Sequence, residues 1–437
     1  MKLCCLLLLV APSSALDFLV MADWGGSEHA PYTTREELST AGGMGKVAEA
    51  VGASFSLAVG DNMYSHGLKD VDSTRFKDTF EDVFTADSLD FPFYVIAGNH
   101  DHIGSVQAQM DYSKKSSRWT YPDSWYTFSK DVGAEAGGSK NATIQFVMID
   151  TVILSGSSDV LDPATGEVAR ELRGSELPGP VDRAAAQSQM DWLEHTLNTS
   201  KADFLVVAGH YPVWSICEHG PTSLLVDAVK PMLERHHVTA YIAGHDHCME
   251  TFVDGDIDYH GMGSAHENDR STSHANKVPK DSLKFHTPGK SGGFGSFTVN
   301  ASSFVARHHE GDGTLLYTHP TRGPRSKVPS PSPPAPPPAP APAGRTWDCH
   351  DNHDVDTGKL HLHDKDLDTR AGKDISACEA ACNDAAAKTG CTAISWHKTD
   401  SHCHVLSGKT PSSDDFVKAL KSGSAHTACV LLESRPS

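Results

Sequence analysis

His245 and His247 stand two residues apart, directly after the apolar run Thr239-Ala240-Tyr241-Ile242-Ala243 and a glycine. At a strand end, residues i and i+2 point the same way, so both imidazoles can aim at one point just past the sheet edge. Four other apolar runs end in a similar manner. Residues 17–22 lead into Asp23, residues 54–59 into Gly60-Asp61 with Tyr64 close behind, residues 93–97 into Gly98-Asn99-His100-Asp101, and residues 204–208 into Gly209-His210. Asp23, Asp61, Tyr64, Asn99, His210, His245 and His247 offer oxygen or imidazole lone pairs and no thiolate, a set suited to hard or borderline cations. Seven such groups exceed the needs of one tetrahedral zinc and suit two octahedral-type ions that share Asp61. A cation pair so held activates water and clamps an anionic group.

The elements that must position these residues follow from the pattern. Equal intervals of 38 residues separate Asp23 from Asp61 and Asp61 from Asn99, long enough for successive strand–helix–strand units. Helices are expected at 37–51, at 72–84, along the face Ala186, Met190, Leu193 and Leu197, and at 222–236, where Pro231 could kink the last. Residues 125–128 and 144–149 read as strands; 249–253, 257–260, 293–299, 303–308 and 314–318 read as antiparallel strands closing the domain. In open sheets ligands bind beyond the carboxyl ends of the strands, where all seven residues fall, so five tips of one sheet are expected to converge. Residues 155–182, rich in Ser, Gly, Asp and Pro, read as a long loop of the kind that is often functional.

Composition bounds the setting. The 437 residues suggest two or three domains, and 21% charged with 38% hydrophobic residues is globular. A formal net charge of −19 without a basic stripe argues against nucleic acid or an anionic membrane as partner. An anionic substrate must then be captured by local positive charge. Residues 1–15, with Lys2, an apolar stretch and Ser13-Ser14-Ala15, read as a secretory signal, and no later run is long enough to span a bilayer. The mature chain is expected to be secreted, or delivered to a secretory or lysosomal lumen, and monomeric. There the sequons at Asn141, Asn198 and Asn300 become glycosylation candidates. Of the cysteines that remain, Cys217 and Cys248 precede residue 348 and six follow it, even counts that point to disulfides. The Pro- and Ala-rich segment within 323–344 is a semi-rigid spacer between a catalytic domain at 16–322 and a cysteine-rich domain at 345–437.

Taken in order, D-x-G at Asp23, G-D-x-x-Y at Gly60-Asp61-Asn62-Met63-Tyr64, G-N-H-D at Gly98, G-H at Gly209 and G-H-x-H at Gly244 resemble the calcineurin-type metallophosphoesterases. The tyrosine narrows the resemblance to purple acid phosphatases. Gly209-His210-Tyr211-Pro212-Val213-Trp214-Ser215, with Glu218-His219-Gly220-Pro221, resembles their small, tartrate-resistant type over roughly 17–320. That resemblance implies an α/β fold, a four-layer α-β-β-α sandwich of two mixed sheets. It implies a binuclear centre: Fe(III) among Asp23, Asp61, Tyr64 and His247, and Fe(II) or Zn(II) among Asn99, His210, His245 and the shared Asp61. It further implies hydrolysis of phosphate monoesters by metal-bound hydroxide. His100 and His219 match substrate-contacting histidines, one of which could act as general acid, and Asp101 and Asp246 would orient ligands.

Two departures stand out. The positions of the disulfide in mammalian-type relatives read Ser155 and Leu224 here, and Met63 replaces the usual aromatic. Cys217 and Cys248 appear instead, on loops that carry site residues. They are expected to bond to each other, the alternatives being two buried thiols or a redox-sensitive pair. The C-terminal cysteines resemble those of apple (PAN) domains, small disulfide-rich α+β modules that bind protein or carbohydrate. The resemblance implies the pairs Cys349–Cys429, Cys378–Cys403 and Cys382–Cys391. Two further functions remain open: a phosphodiesterase or nucleotidase of the same superfamily, and a binding protein with a vestigial metal centre.

Overall fold

The computed structural model describes residues 15–134 and 141–325, together with the strand backbones 346–355, 363–365, 391–397, 402–407 and 420–432. The chain divides into two compact units, Met1–Pro329 and Ser330–Ser437.

In the first unit the apolar runs become strands. The opening stretch contains β1 (Leu16–Met21), α1 (Arg35–Val51), β2 (Ser56–Val59), β3 (Phe93–Ile96), α2 (Asn99–Ile103), α3 (Val106–Tyr112) and β4 (Trp119–Thr120). Next come β5 (Tyr126–Ala134), β6 (Asn141–Met148), α4 (Thr151–Ser155), the hairpin strands β7 (Asp159–Leu161) and β8 (Val168–Glu171), and α5 (Arg183–Thr199). β9 (Phe204–Ala208), α6 (Lys230–Arg235), β10 (Ala240–Ala243), β11 (Met249–Asp254), β12 (Ile257–Met262) and β13 (Leu283–Thr287) follow, and β14 (Gly293–Asn300), β15 (Ser303–Glu310) and β16 (Leu315–Thr318) complete the unit. Two seven-stranded mixed sheets result, ordered β16-β15-β14-β1-β2-β3-β4 and β13-β11-β12-β10-β9-β6-β5. β1 pairs parallel with β2 and antiparallel with β14, and β10 pairs parallel with both β9 and β12. This is the expected α/β fold.

The expectation of one sheet is corrected. β1, β2 and β3 belong to the first sheet and β9 and β10 to the second, so the five tips converge across a seam. Apolar side chains from both sheets fill the space between them: Phe18 stacks on Phe55 and Phe297 at 4.9 Å each and meets Phe146 of the second sheet edge-on. Burying such rings is worth roughly 1.5–3 kcal/mol apiece.

The helices differ in how well local signals specify them. α1 starts at a capping box, with Thr34 Oγ1 accepting from Glu37 N–H at 3.0 Å and the Glu37 carboxylate accepting from Thr34 N–H at 3.2 Å. Gly52, at φ 72°, ends it in the left-handed conformation. The helix expected at 72–84 is only a short π-helical turn, Phe76–Glu81, whose Phe76 and Phe80 are buried. The helix expected at 222–236 splits at Lys230, where Pro231 opens α6 because its missing N–H is harmless in a first turn. The stretch 155–182 is more than a loop, since it contains the β7–β8 hairpin. β12 is antiparallel only to β11; its other neighbour, β10, runs parallel.

Among the described residues the second unit has five strands, β17 (Thr346–Val355), β18 (His363–Lys365), β19 (Cys391–His397), β20 (His402–Ser407) and β21 (Leu420–Leu432), ordered β17-β21-β19-β20-β18. Every pair is antiparallel, and the register sets Cys349 opposite Cys429. Cys378 and Cys382, residues 1–14 and most of the Pro-rich spacer lie outside the described residues, and with them the pairings to Cys403 and Cys391.

Candidate metal centre

All seven residues gather at the seam. The strands deliver them through tight turns: Asp23, Asp61 and His245 take φ of 55°, 50° and 71°, a left-handed conformation that costs a non-glycine residue energy and clusters at functional sites. Gly60 and Gly244 allow the approach. A Cβ on Gly60 would strike the His210 ring and one on Gly244 the Asp23 carboxylate.

Asp61 is the hub. Its Oδ2 lies 3.0 Å from Tyr64 Oη and 3.4 Å from His210 Nε2. On one side Tyr64 Oη also lies 3.1 Å from Asp23 Oδ1 and 3.1 Å from His247 Nε2. On the other, His210 Nε2 is 3.0 Å from Asn99 Oδ1, and Asp61, His210 and His245 place a ligand atom each within 4.8 Å of one another. Two overlapping groups therefore share one carboxylate.

The electrostatics fit a cation. Asp23 and Asp61 are almost fully buried, and among the described residues only histidines lie within ion-pairing distance of them. One phenol proton cannot satisfy both carboxylate oxygens beside Tyr64 Oη, Asp23 Oδ1 and Asp61 Oδ2. Without a cation, burial and then the charges of Asp23 and Asp61 hold that phenol far above its usual pKa. Burial disfavours the His210 cation, yet Asp61 and Asp23 push its pKa up to about 9. His247 is likewise raised against burial by Asp23 and Glu267. Protons thus offset the carboxylate charge where a metal would otherwise do so. His245 behaves oppositely: burial, then His219 and His210, keep it neutral, and its buried Nε2 has no partner. A neutral imidazole with a free lone pair is what a metal requires.

The turns around the hub are tied down. Asp101 accepts from Asn62 N–H at 3.0 Å, Gly98 N–H at 2.8 Å and Gln109 Nε2 at 2.7 Å; burial, then the Asp61 charge, push its pKa to about 6. Asp246 accepts from His219 N–H at 2.7 Å and Gly220 N–H at 3.1 Å. The ring of His219 stacks on His245 at 4.1 Å. His100 Nδ1 lies 2.8 Å from Ser65 O; burial opposes its cation, but Asp61 and Asp159 raise its pKa. A cleft of about 700 Å³ opens over Tyr64, His100 and His247, within the range of small-molecule sites. Cys217 and Cys248 are disulfide-bonded, as expected. Asn141 and Asn198 are exposed and Asn300 half-buried.

Three residues in this region went unread in the sequence. His266 stacks on Tyr64 at 4.1 Å, with Nδ1 2.8 Å from Asp23 O. It follows β12 through Gly263-Ser264-Ala265, the same grammar of apolar strand, small residues and histidine. Glu171 and Asp159 come from the hairpin: Glu171 lies 3.5 Å from His219 Nε2 and 4.0 Å from His100 Nε2, and Asp159 accepts from Asn99 Nδ2 at 3.0 Å. Only the pairing of β7 with β8 brings those carboxylates there.

Residues 16–249 match the calcineurin-like phosphoesterase family. Human tartrate-resistant acid phosphatase type 5 is 38% identical over 319 residues, 72% of this chain and 93% of that protein. Purple acid phosphatase 4 of Arabidopsis thaliana is 28% identical over 316 residues, 71% of this chain and 84% of the relative. Among solved structures, GAP50, described as the anchor in the inner membrane complex of Plasmodium, shares the fold, with a TM-score of 0.59 at 22% identity over 72% of this chain and 90% of that one. The chain is a metal-dependent phosphoesterase that belongs to the calcineurin-like phosphoesterase family, among the relatives of tartrate-resistant acid phosphatase type 5.

Proposed function

We propose that this chain is an exported acid phosphatase that hydrolyses phosphate monoesters at a binuclear centre. Fe(III) would be held by Asp23, Asp61, Tyr64 and His247, and Fe(II) or Zn(II) by Asn99, His210, His245 and the shared Asp61. The observation that carries this reading is the position of Asp61 Oδ2 between Tyr64 Oη and His210 Nε2. When bound, the cations supply a water-derived nucleophile and positive charge for the phosphoryl oxygens. The chain's own residues do the rest. Asn99 and His210 fix one side of the ester's landing place, and Tyr64 and His247 the other. His219, held at its backbone by Asp246 and stacked on His245, donates the proton that the leaving alkoxide needs. His100 binds the anionic phosphoryl group as a cation, and the acidic residues around it favour that charge state.

Export, glycans at Asn141, Asn198 and Asn300, a monomeric state and a protein- or glycan-binding role for the second unit belong to the same proposal. No helix among the described residues is long and apolar enough to cross a membrane. The test compares p-nitrophenyl phosphate with bis-p-nitrophenyl phosphate at acid pH, alongside metal analysis and a visible spectrum. Faster monoester turnover by a coloured, iron-containing protein is expected. Faster diester turnover would make it a phosphodiesterase, and no turnover by metal-loaded protein would make it a binding protein.

A further inference from the structure

Away from the seven-residue centre, four other potential ligands meet. Cys217, Cys248, Glu250 and His286 each contribute one atom, and all four atoms lie within 4.8 Å of one another. The cysteines are disulfide-bonded, and a disulfide has no use for the other two groups. Glu250 Oε1 lies 2.7 Å from Cys217 Sγ and 3.2 Å from Cys248 Sγ, with no thiol proton to share while the S–S bond stands. The Glu250 carboxyl is 1% exposed and accepts from Ile216 N–H at 3.2 Å and Ser215 Oγ at 3.5 Å. Burial, then the charge of Asp246, raise its pKa far above the carboxylate range. His286 Nε2 is buried and has no hydrogen-bond partner. A buried carboxyl and an orphaned imidazole nitrogen beside two sulfurs are costly features for which the disulfide gives no reason.

We propose that Cys217, Cys248, Glu250 and His286 form a second, mononuclear metal site that becomes available when the disulfide is reduced and takes a zinc-class cation. A dithiol reductant delivers two electrons and two protons to the S–S bond and is itself oxidised to a disulfide. The cation then displaces both thiol protons and the proton of the buried Glu250 carboxyl, three in all, and is held by two thiolates, the His286 imidazole and the Glu250 carboxylate. Two sulfurs, one nitrogen and one oxygen make a tetrahedral zinc set. With Zn–S near 2.3 Å, tetrahedral sulfurs stand roughly 3.8 Å apart, inside the span the four atoms already occupy. Soft thiolates favour zinc over hard ions, which separates this site from the oxygen-rich centre. Its placement has a consequence for that centre. Cys217 is two residues before His219 and Cys248 directly follows His247, so disulfide and cation alike tie the His219 loop to the His247 turn.

The test is anaerobic Co2+ titration of the full chain before and after phosphine reduction, with the reductant removed. Reduced protein should take up one more equivalent of Co2+ than oxidised protein and develop a thiolate-to-cobalt charge-transfer band. That band should vanish in the Cys217→Ser/Cys248→Ser variant, which keeps the six C-terminal cysteines, and His286→Ala should weaken Co2+ binding at least tenfold. Near-ultraviolet circular dichroism follows the fold. If reduction loosens it, Co2+ must restore the signal in wild type and fail to do so in His286→Ala. No extra equivalent on reduction, a band unchanged in either variant, or a reduced chain that Co2+ does not restore would each overturn the proposal.

Discussion

His210 at the seam and His260 on β12 are both buried and have opposite fates. At the seam, His210 is completely buried yet pushed up to about 9 by Asp61 and Asp23. On β12, β15 and the segment after β16, His260, His308 and His319 are just as enclosed, yet burial pushes His260 down to about 4 and His308 well down. Thr251 Oγ1 sits between them, 3.1 Å from His260 Nδ1 and 2.7 Å from His308 Nε2. The carboxylate of Asp258 beside them is engaged by Arg322 and by His319 at 3.3 Å. Burial alone therefore makes a neutral core imidazole. Uncommitted carboxylates beside it are what make a site for a cation.

Removing those carboxylates should break the contrast most. Asp61→Asn deprives both overlapping groups of their shared oxygen. Its activity should fall by more than about 100-fold, the ceiling for groups that merely orient ligands, and metal analysis should show loss of both ions. Retention of a full metal complement would remove Asp61 as hub. His219→Gln tests the catalytic face of the same cluster: kcat should fall by about 100-fold with metal content unchanged, and a change confined to KM would make His219 a binding residue. If iron fills the Tyr64 side as proposed, Tyr64→Phe should abolish the visible band of the metal-loaded protein; a variant that stays coloured would remove Tyr64 as a ligand.

The second cluster predicts a pH effect on stability. His260 has a folded-state pKa below its unfolded value of 6.5, so the unfolded chain binds more protons between the two. Stability is complete above about pH 6.5 and declines towards pH 4, by on the order of 3 kcal/mol for this residue. The thermal midpoint should drop over that window, and His260→Gln should flatten the drop. An unchanged slope would mean that His260 does not titrate with unfolding. Acid conditions that favour the His100 cation thus loosen another part of the same unit.

Much of the site was legible because strand-end residues obey a period of two and glycine marks where a turn must follow. Asp23, Asp61, Asn99, His210, His245 and His247 all sit at such endings. Harder to read were residues whose role depends on a partner far away in the chain. Asp159 and Glu171 lay in what read as a loop, because three- and four-residue strands carry little hydrophobic signal. The turn at Phe76–Glu81 was over-extended for a related reason: its apolar residues pack beneath Trp24 and Trp119 instead of continuing a helical face.

By itself the sequence determined which residues can offer lone pairs and that they stand at strand ends. Those are local properties, set by residue type and by the backbone's period. Only the tertiary structure decided that the tips come from two sheets and that His266 lies against Tyr64. It alone brought Glu250 and His286 to the Cys217–Cys248 bond. Each depends on strand pairing between distant segments, where packing and register govern and spacing along the chain says nothing.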